Sequence, residues 1–205
     1  MRGLFLSLDG VDGTGKSTQC RLLVEWLTSL GHRVTSCVDP GGTILGGQLR
    51  EILLRKDHPI SLEAEALLFM ASRAQLVQEV IRPALAEGKV VVSDRYLLAN
   101  VVYQGHAGQL DVEQLWQVGK LSTGGLLPEL TVVLDLPIEQ AISRRGRPAD
   151  RMESRSLDFQ RRVRDGFLLE ARRKPNIVVV DASGSIDAIQ SQLRSHVLPI
   201  LSMKG

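Results

Sequence analysis

Short apolar runs alternate along the chain with longer segments in which apolar residues recur at helical spacing. Each run is rich in Val or Leu and is bounded by Gly, Pro or Asp, which is typical of strands that a parallel sheet buries on both faces. The pattern predicts five strands, at residues 4–8, 33–38, 89–93, 130–134 and 176–180. It therefore predicts an α/β fold, with a parallel sheet and helices on both faces.

Helical periodicity fills most of the segments between these strands. We expect helices at residues 16–29, 43–54, 61–86, 111–122, 138–144, 156–172 and 186–198. The longest of these contains Pro83, which we expect to kink or end the helix. Gly88 marks a stop before the third strand.

Composition and charge restrict the class of protein. With 205 residues, of which 43% are hydrophobic and 23% charged, residues 1–205 are expected to form a single globular domain. The formal net charge of +2 argues against a protein that coats nucleic acid. Cys20 and Cys37 form neither a CxxC pair nor a zinc site, which fits a reducing compartment. No apolar stretch approaches the roughly 18 residues of a membrane helix, so we expect a cytoplasmic protein without a membrane partner.

Residues 10–17 read GVDGTGKS and match the phosphate-binding motif GxxxxGK[ST], directly after an apolar strand and directly before a helix. The glycines let the backbone direct its N–H groups onto a polyphosphate. Lys16 adds a point charge, and the Ser17 hydroxyl can reach a Mg²⁺ ion. We therefore expect a P-loop NTPase-like fold and a nucleotide bound at this loop, which comprises Gly10, Val11, Asp12, Gly13, Thr14, Gly15, Lys16, Ser17 and Thr18. The chain has no [NT]KxD tetrapeptide, which disfavours a regulatory GTPase.

Charged side chains follow two further strands where they end. Asp39 follows the second strand, and Asp94 and Arg95 follow the third. Because ligands bind beyond the C-terminal edge of a parallel sheet, we expect these residues to lie near Asp9 and the phosphate loop. Asp94 can hold metal-bound water or the loop lysine, and Arg95 can clamp a phosphate. An Asx turn at Asp39 and a salt-bridged strand end at Asp94 are the alternatives.

Two helical segments carry side chains suited to a nucleobase. Phe69 and Arg73 are spaced i and i+4, so a ring and a guanidinium share a face that could receive a flat heterocycle. A core position is the alternative for the ring. Asn100, Tyr103 and Gln104 could hydrogen-bond base edges and contact a sugar.

Positive charge is concentrated at residues 144–174, which hold 11 basic and 5 acidic side chains. Residues 143–154, SRRGRPADRMES, mix Gly, Pro and small polar residues with the arginines Arg144, Arg145, Arg147 and Arg151. This is loop composition with a dense guanidinium charge, and it predicts a short Arg-rich lid. A solvated helical face is the alternative for the charge run as a whole.

In combination, GVDGTGKST, DPGGT, FMASRAQL, SDRY with NVVYQG, and DRME resemble the bacterial thymidylate kinase family, in the family's order and over nearly the whole chain. The resemblance implies a five-stranded parallel sheet and a homodimer. It also implies transfer of the γ-phosphate of ATP to dTMP with Mg²⁺. The Asp181–Ser183 turn looks like the adenine-side loop of the family.

The resemblance implies roles for the charged residues at the sheet edge. Lys16 and the loop backbone would hold ATP, and Ser17 would help to place Mg²⁺. Asp9 and Asp39 would organise the metal and the deoxyribose side of the acceptor. Arg95 would grip the dTMP phosphate, with Arg50 as a less certain helper.

The base pocket follows from the same resemblance. Thymine would stack on Phe69 and meet Arg73, with Asn100 and Gln104 nearby. Tyr103 would crowd the 2′ position of the sugar and so favour deoxyribose.

The catalytic arginine of the family lies in the phosphate loop in one branch and in the lid in the other. Gly13 occupies the loop position here, so the resemblance implies a lid arginine, and we select Arg147 or Arg151. The chain also departs from the family. Val38 and Asp39 stand where many bacterial relatives have Arg-Glu, which shortens the reach of this carboxylate by about one methylene.

Two other functions share some of these features. A kinase for another nucleoside monophosphate, or for a deoxynucleoside, would keep the loop and lid but differ in the base pocket. A nucleotide-dependent switch would hold ATP and use the Arg-rich segment to dock a partner. The first of these predicts turnover with another acceptor, and the second predicts binding without turnover.

Overall fold

Five parallel strands form one sheet in the order β2-β3-β1-β4-β5 in the computed structural model, which describes residues 3–57, 59–145 and 150–202. The strands are β1 (Leu4–Asp9), β2 (Val34–Val38), β3 (Val90–Asp94), β4 (Leu130–Asp135) and β5 (Ile177–Asp181). The predicted strands and the predicted fold class are confirmed, and each strand end lies within one residue of its prediction.

Side chains of the central strand alternate between two hydrophobic cores, one on each face of the sheet. Leu4, Leu6 and Leu8 lie in the first core, which also receives side chains from the first, eighth and ninth helices. Phe5 lies in the second core, with Val91 from the neighbouring strand. Burial on both faces explains why each strand reads as a continuous apolar run.

Nine α-helices are described, some of them joined end to end by π-helical turns. They are α1 (Lys16–Ser29), α2 (Ile44–Leu54), α3 (Leu62–Leu76), α4 (Arg82–Ala86), α5 (Leu97–Asn100), α6 (Val112–Thr123), α7 (Ile138–Ser143), α8 (Leu157–Arg173) and α9 (Ile186–Ser202). No helix in the described ranges is both long enough and apolar enough to cross a bilayer.

The helical stretch formed by α5 and the π segment Val101–Ala107 was absent from the predicted helices. Almost every residue of this stretch is buried, so it has no polar face and shows no amphipathic period. The sequence indicated helical positions for three of its residues but gave no bounds for the element. This stretch carries the predicted Asn100, Tyr103 and Gln104.

The longest predicted helix is divided rather than ended at Pro83. A π-helical segment, Val77–Ile81, separates α3 from α4, and Pro83 stands at the start of α4. A proline is tolerated there because the backbone N–H groups of the first helical residues have no carbonyl acceptor within the helix, so the missing N–H of proline costs no hydrogen bond. The helix ends at Ala86, and Gly88 has a positive φ of 72°, as the stop signal predicted.

Backbone hydrogen bonds hold the C-terminal ends of the three adjacent strands β2, β3 and β1 together. Asp39 N–H donates to the Asp94 carbonyl at 3.0 Å, and Arg95 N–H donates to the Leu8 carbonyl at 2.9 Å. Residues that follow these strands therefore meet at one edge of the sheet. The Arg95 backbone has φ 70°, which is rare for a residue other than glycine and fixes the direction of its side chain.

Candidate active site

The phosphate loop lies between β1 and α1, as its motif requires. Gly10, Gly13 and Gly15 have φ values of 132°, 95° and 90°, a region that side-chain-bearing residues rarely adopt. Gly13 also packs against the backbone of α7, because a Cβ built on it would lie 2.0 Å from the Ala141 carbonyl oxygen. The glycine at this position is therefore required by both conformation and space.

Asp12 is the charged centre of the loop. Its carboxylate lies 2.6 Å from Nη2 of Arg95 and 3.4 Å from Nζ of Lys16, and the Tyr103 hydroxyl donates to it at 3.3 Å. Burial raises the pKa of this carboxyl, but the charges of Arg95 and Lys16 outweigh burial and hold the pKa well below its usual range. Lys16 also donates to the Val11 carbonyl at 2.8 Å. Asp12 thus holds Lys16 of the loop and Arg95 of the strand end close together, an arrangement that suits anionic ligands.

Ser17 and Asp94 form the site that best fits a magnesium ion. Ser17 Oγ donates to Asp94 Oδ2 at 2.6 Å, and both residues line the same cavity as Lys16 and Thr18. A hydroxyl and a carboxylate are the hard oxygen donors that Mg²⁺ prefers, usually together with phosphate oxygens and water. The described residues contain no cluster of three or more His, Cys, Asp or Glu side chains suited to a metal.

Asp9 is not among the residues that line the cavity, so its contact with metal and acceptor stays a prediction. Its side chain is fully buried, and neither carboxylate oxygen has a hydrogen-bond partner. Burial raises its pKa to about 7, against the opposing charges of Arg95 and Lys16. The strand continues one residue further than predicted, so Asp9 is the last residue of β1.

A cavity of ≈ 640 Å³ extends from the phosphate loop across the ends of β3 and β2. It brings together all the predicted acceptor residues except Asp9: Asp39, Arg50, Phe69, Arg73, Arg95, Asn100, Tyr103 and Gln104. Of the phosphate loop, Gly10, Val11 and Thr14 do not line it, whereas Asp12, Gly13, Gly15, Lys16, Ser17 and Thr18 do.

Arg73 is the centre of a buried polar wall in this cavity. Its Nε donates to Asp39 at 2.5 Å and its Nη1 donates to the Asn100 side-chain oxygen at 3.0 Å. Asn100 in turn donates to Gln104 at 2.7 Å. Asp39 therefore holds an arginine, and any contact with a ligand must be shared with that ion pair.

Tyr103 lies where the base wall meets the phosphate loop. Burial raises the pKa of its hydroxyl, so the neutral phenol is retained. Arg95 donates to this oxygen at 3.3 Å, and its guanidinium lies 5.2 Å from the ring centroid. Phe159 and Phe167 pack against the ring from α8. The ring position is thus set by its own π-helical segment, by α8 and by the strand-end arginine.

The lid arginines are divided between the cavity and the protein framework. Arg144 and Arg145 line the cavity: the former donates to the carbonyl oxygens of Ala182 and Ser183, and the latter to the Asp12 carbonyl oxygen at 3.3 Å. Arg151 does not line the cavity and forms an ion pair instead, which argues against its selection as a catalytic arginine. Arg147 lies outside the described residues.

The sequence analysis missed three further cavity-lining residues of the lid, Asp150, Met152 and Glu153. Asp150 Oδ1 accepts the backbone N–H groups of both Met152 and Glu153 at 2.9 Å, which folds this segment into a turn. The DRME motif marked their position, but nothing in it distinguished the residues that face the cavity from those that anchor the segment.

A family model described as thymidylate kinase matches residues 8–193, which include the phosphate loop and the whole acceptor wall. The chain belongs to the thymidylate kinase family. It is 47% identical to thymidylate kinase of Rhodopirellula baltica over 188 residues, covering 91% of this chain and 77% of that protein. It is 46% identical to thymidylate kinase of Symbiobacterium thermophilum, covering 97% of this chain and 94% of the relative.

A solved structure agrees with this assignment. The crystal structure of thymidylate kinase from Ehrlichia chaffeensis superimposes with a TM-score of 0.80 at 25% identity, covering 96% of this chain and 100% of that one. The thymidylate kinase family consists of nucleoside monophosphate kinases, so this chain is an enzyme, as the sequence predicted. The ATP-binding P-loop fold and the predicted family are both confirmed.

Proposed function

We propose that this chain transfers the γ-phosphate of ATP to dTMP in the cavity described above, in the synthesis of dTTP. The observation that carries the proposal is the continuity of that cavity from the phosphate loop to the buried wall around Arg73. One end supplies backbone N–H groups and cations for a triphosphate, and the other supplies amides and an aromatic ring for a base.

The ATP side is built from Gly10 to Thr18 and from the lid. Lys16 would contact the phosphates once they displace its present contact with the Val11 carbonyl. Arg144 reaches the Asp181–Ser183 turn, which supports an adenine site between that turn and the lid. Ser17 and Asp94 would hold Mg²⁺, which supplies charge neutralisation on the phosphate oxygens.

The dTMP side is built around the Arg73 wall. Phe69 would stack on thymine, and Arg73, Asn100 and Gln104 would hydrogen-bond its edge. Tyr103 would exclude a 2′-hydroxyl by its position.

The acceptor phosphate would lie near the strand-end cations. Arg95 and Arg50 would hold it. Arg95 would first give up its contact with the Gly10 carbonyl, and Arg50 its contact with the Pro40 carbonyl. Asp39 would act through Arg73.

Catalysis would depend on charge neutralisation. The acceptor phosphate is already ionised, so no strong general base and no covalent intermediate are required. Among the described lid arginines, Arg145 lies best for the transferred phosphoryl group, because it lines the cavity and contacts the phosphate loop. Arg147 remains a candidate by its sequence position.

The wider setting is also proposed. Residues 1–205 would act as one domain with a lid at about residues 143–154, and two copies would form a homodimer without nucleic acid or membrane. Exposed apolar side chains on α2 and α3, among them Ile44, Ile52 and Leu67, support contact between copies. A cytoplasmic location fits the two buried free cysteines, Cys20 and Cys37.

The test is ADP release with ATP and Mg²⁺ against dTMP, dUMP, dCMP, dAMP, dGMP, UMP and thymidine. We expect the highest kcat/KM with dTMP. A larger value with another acceptor would refute the base-pocket assignment and retain the kinase. Tight ATP binding without acceptor-dependent ADP release would favour a nucleotide-dependent switch.

A further inference from the structure

Glu65 is a fully buried carboxylate that lies outside the predicted site. It stands in the first turn of α3 and has 0% exposure. Glu65, Phe69 and Arg73 are spaced i, i+4 and i+8, so the helix presents them along one face. Because a buried carboxylate is costly unless it is paired and hydrogen-bonded, its partners show which parts of the protein depend on it.

Three side chains from two different regions contact the Glu65 carboxylate. Gln104 Nε2 donates to Oε1 at 2.7 Å, Arg155 Nη2 donates to Oε2 at 2.6 Å, and Arg151 Nη1 forms an ion pair with Oε2 at 2.6 Å. Gln104 belongs to the base wall of the cavity, and Arg151 belongs to the lid. Glu65 is therefore shared by the two parts of the site that are expected to hold dTMP and to close over the phosphates.

On the base side, Glu65 fixes the direction of a chain of hydrogen bonds. A carboxylate only accepts, so the Gln104 amide must turn its NH₂ group toward Glu65 and its oxygen toward Asn100. Arg73 only donates, so Asn100 must turn its oxygen toward Arg73 and its NH₂ group toward Gln104. The two ends agree, and the amides that face the proposed thymine site are held in one orientation.

On the lid side, Glu65 and a backbone carbonyl hold Arg151 from two directions. Arg151 Nε donates to the Leu53 carbonyl at 2.7 Å while its Nη1 contacts Glu65. The next residues, Met152 and Glu153, are buried and line the cavity. Arg145 donates to the Glu153 carbonyl at 3.4 Å, and so connects this anchored segment to the phosphate loop.

We propose that Glu65 is a positioning residue that couples the acceptor-base wall to the lid, by orienting Gln104 on one side and anchoring Arg151 on the other. The proposal rests on the proposed function. It also explains why Arg151 is unsuited to contact the transferred phosphoryl group, since its charge is already committed to Glu65. Lid placement and recognition of the base would then depend on the same carboxylate.

The test compares Glu65→Gln with Glu170→Gln. Glu170 is the matched control, because it is also fully buried on a helix and contacts His106, Trp116 and Arg173, none of which belongs to the lid. Two quantities are measured on the full chain well below its unfolding temperature: the dissociation constant of dTMP, and the rate of trypsin cleavage after Arg145 or Arg151. The trypsin rate does not require activity, so the anchoring role is tested even if dTMP proves to be the wrong acceptor.

We expect Glu65→Gln to weaken dTMP binding and to accelerate lid cleavage, each by about tenfold or more, as expected for loss of buried hydrogen bonds to a charged group. We also expect kcat to fall by about tenfold while KM for ATP changes less. The Glu170→Gln variant should change neither dTMP affinity nor lid cleavage. The proposal is overturned if the two variants behave alike, or if Glu65→Gln changes only one of the two quantities.

Two further variants test the contact with Arg151 and the contact with Gln104 separately, and both leave Glu65 in place. Arg151→Lys should accelerate lid cleavage and leave dTMP affinity nearly unchanged. Gln104→Leu should weaken dTMP binding and leave the rate of lid cleavage nearly unchanged. If Glu65→Gln fails to fold, a tenfold effect of Arg151→Lys on dTMP affinity alone would contradict the proposed division.

Discussion

The Asp39 carboxylate and the Arg73 guanidinium form an ion pair of 2.5 Å in which both side chains are almost fully buried, at 1% and 2% exposure. The pair joins the end of β2 to the last turn of α3 and forms one wall of the cavity. An isolated charge at this depth would be far more costly than the pair. The stability of the acceptor pocket therefore depends on retaining both partners.

We expect Asp39→Asn to destabilise the protein by about 3–5 kcal/mol, because it leaves Arg73 buried without a counter-charge. Urea unfolding measures the change. Glu139→Gln is the control, since Glu139 forms an exposed ion pair with Arg161 and should change the free energy of unfolding very little. Equal losses for the two variants would mean that Arg73 finds another counter-charge.

A comparison of Gly13 with Gly15 distinguishes two requirements for glycine in the phosphate loop, a positive φ and a lack of space for a Cβ atom. Both have a positive φ, but a Cβ at Gly15 would meet none of the described residues within 4 Å, whereas a Cβ at Gly13 would lie 2.0 Å from the Ala141 carbonyl oxygen. We expect Gly13→Ala to be more destabilising than Gly15→Ala by about 1–3 kcal/mol, the usual cost of overpacking. Thermal unfolding without nucleotide measures the difference, and equal values would show that α7 can move aside.

The same contact bears on the origin of the catalytic arginine. An arginine at position 13 would need the space that the Ala141 carbonyl occupies, so this loop cannot carry one without a shift of α7. Arg145→Ala should therefore lower kcat strongly, by on the order of 10³ if this side chain meets the transferred phosphoryl group. Arg161→Ala, on an exposed face of α8, is the control. A larger loss for Arg147→Ala would assign the role to that residue instead.

The sequence predicted the sheet well because its signals are local, whereas the roles of the acceptor residues stay predictions. Strands buried on both faces read as apolar runs, and the DRY motif stands where β3 ends. Three features depended on contacts between distant residues. The stretch of α5 is buried all round and shows no period, Asp9 is fully buried near Lys16 and Arg95, and Arg151 is paired with Glu65, 86 positions earlier in the chain.

The buried carboxyl of Asp9 predicts a specific dependence of stability on pH. Burial raises its pKa to about 7 in the folded protein, whereas an unfolded aspartate titrates near 3.9. Between these values the folded carboxyl retains a proton that the unfolded chain has lost. The free energy of unfolding therefore contains a contribution that falls as pH rises from about 4 to about 7 and is constant above that range.

Asp9→Asn removes this titration and keeps the shape of the protonated carboxyl. We expect the variant to gain stability relative to the parent protein as pH rises from about 4 to about 7, by on the order of 2–4 kcal/mol. Urea unfolding at several pH values, without nucleotide or metal, measures the difference. Asp181→Asn is the control: hydrogen bonds from Ser183 lower the pKa of that exposed carboxyl, so its contribution is lost only below about pH 4 and the difference should stay flat across this range. A flat difference for Asp9→Asn as well would mean that Lys16 and Arg95 keep Asp9 ionised despite its burial.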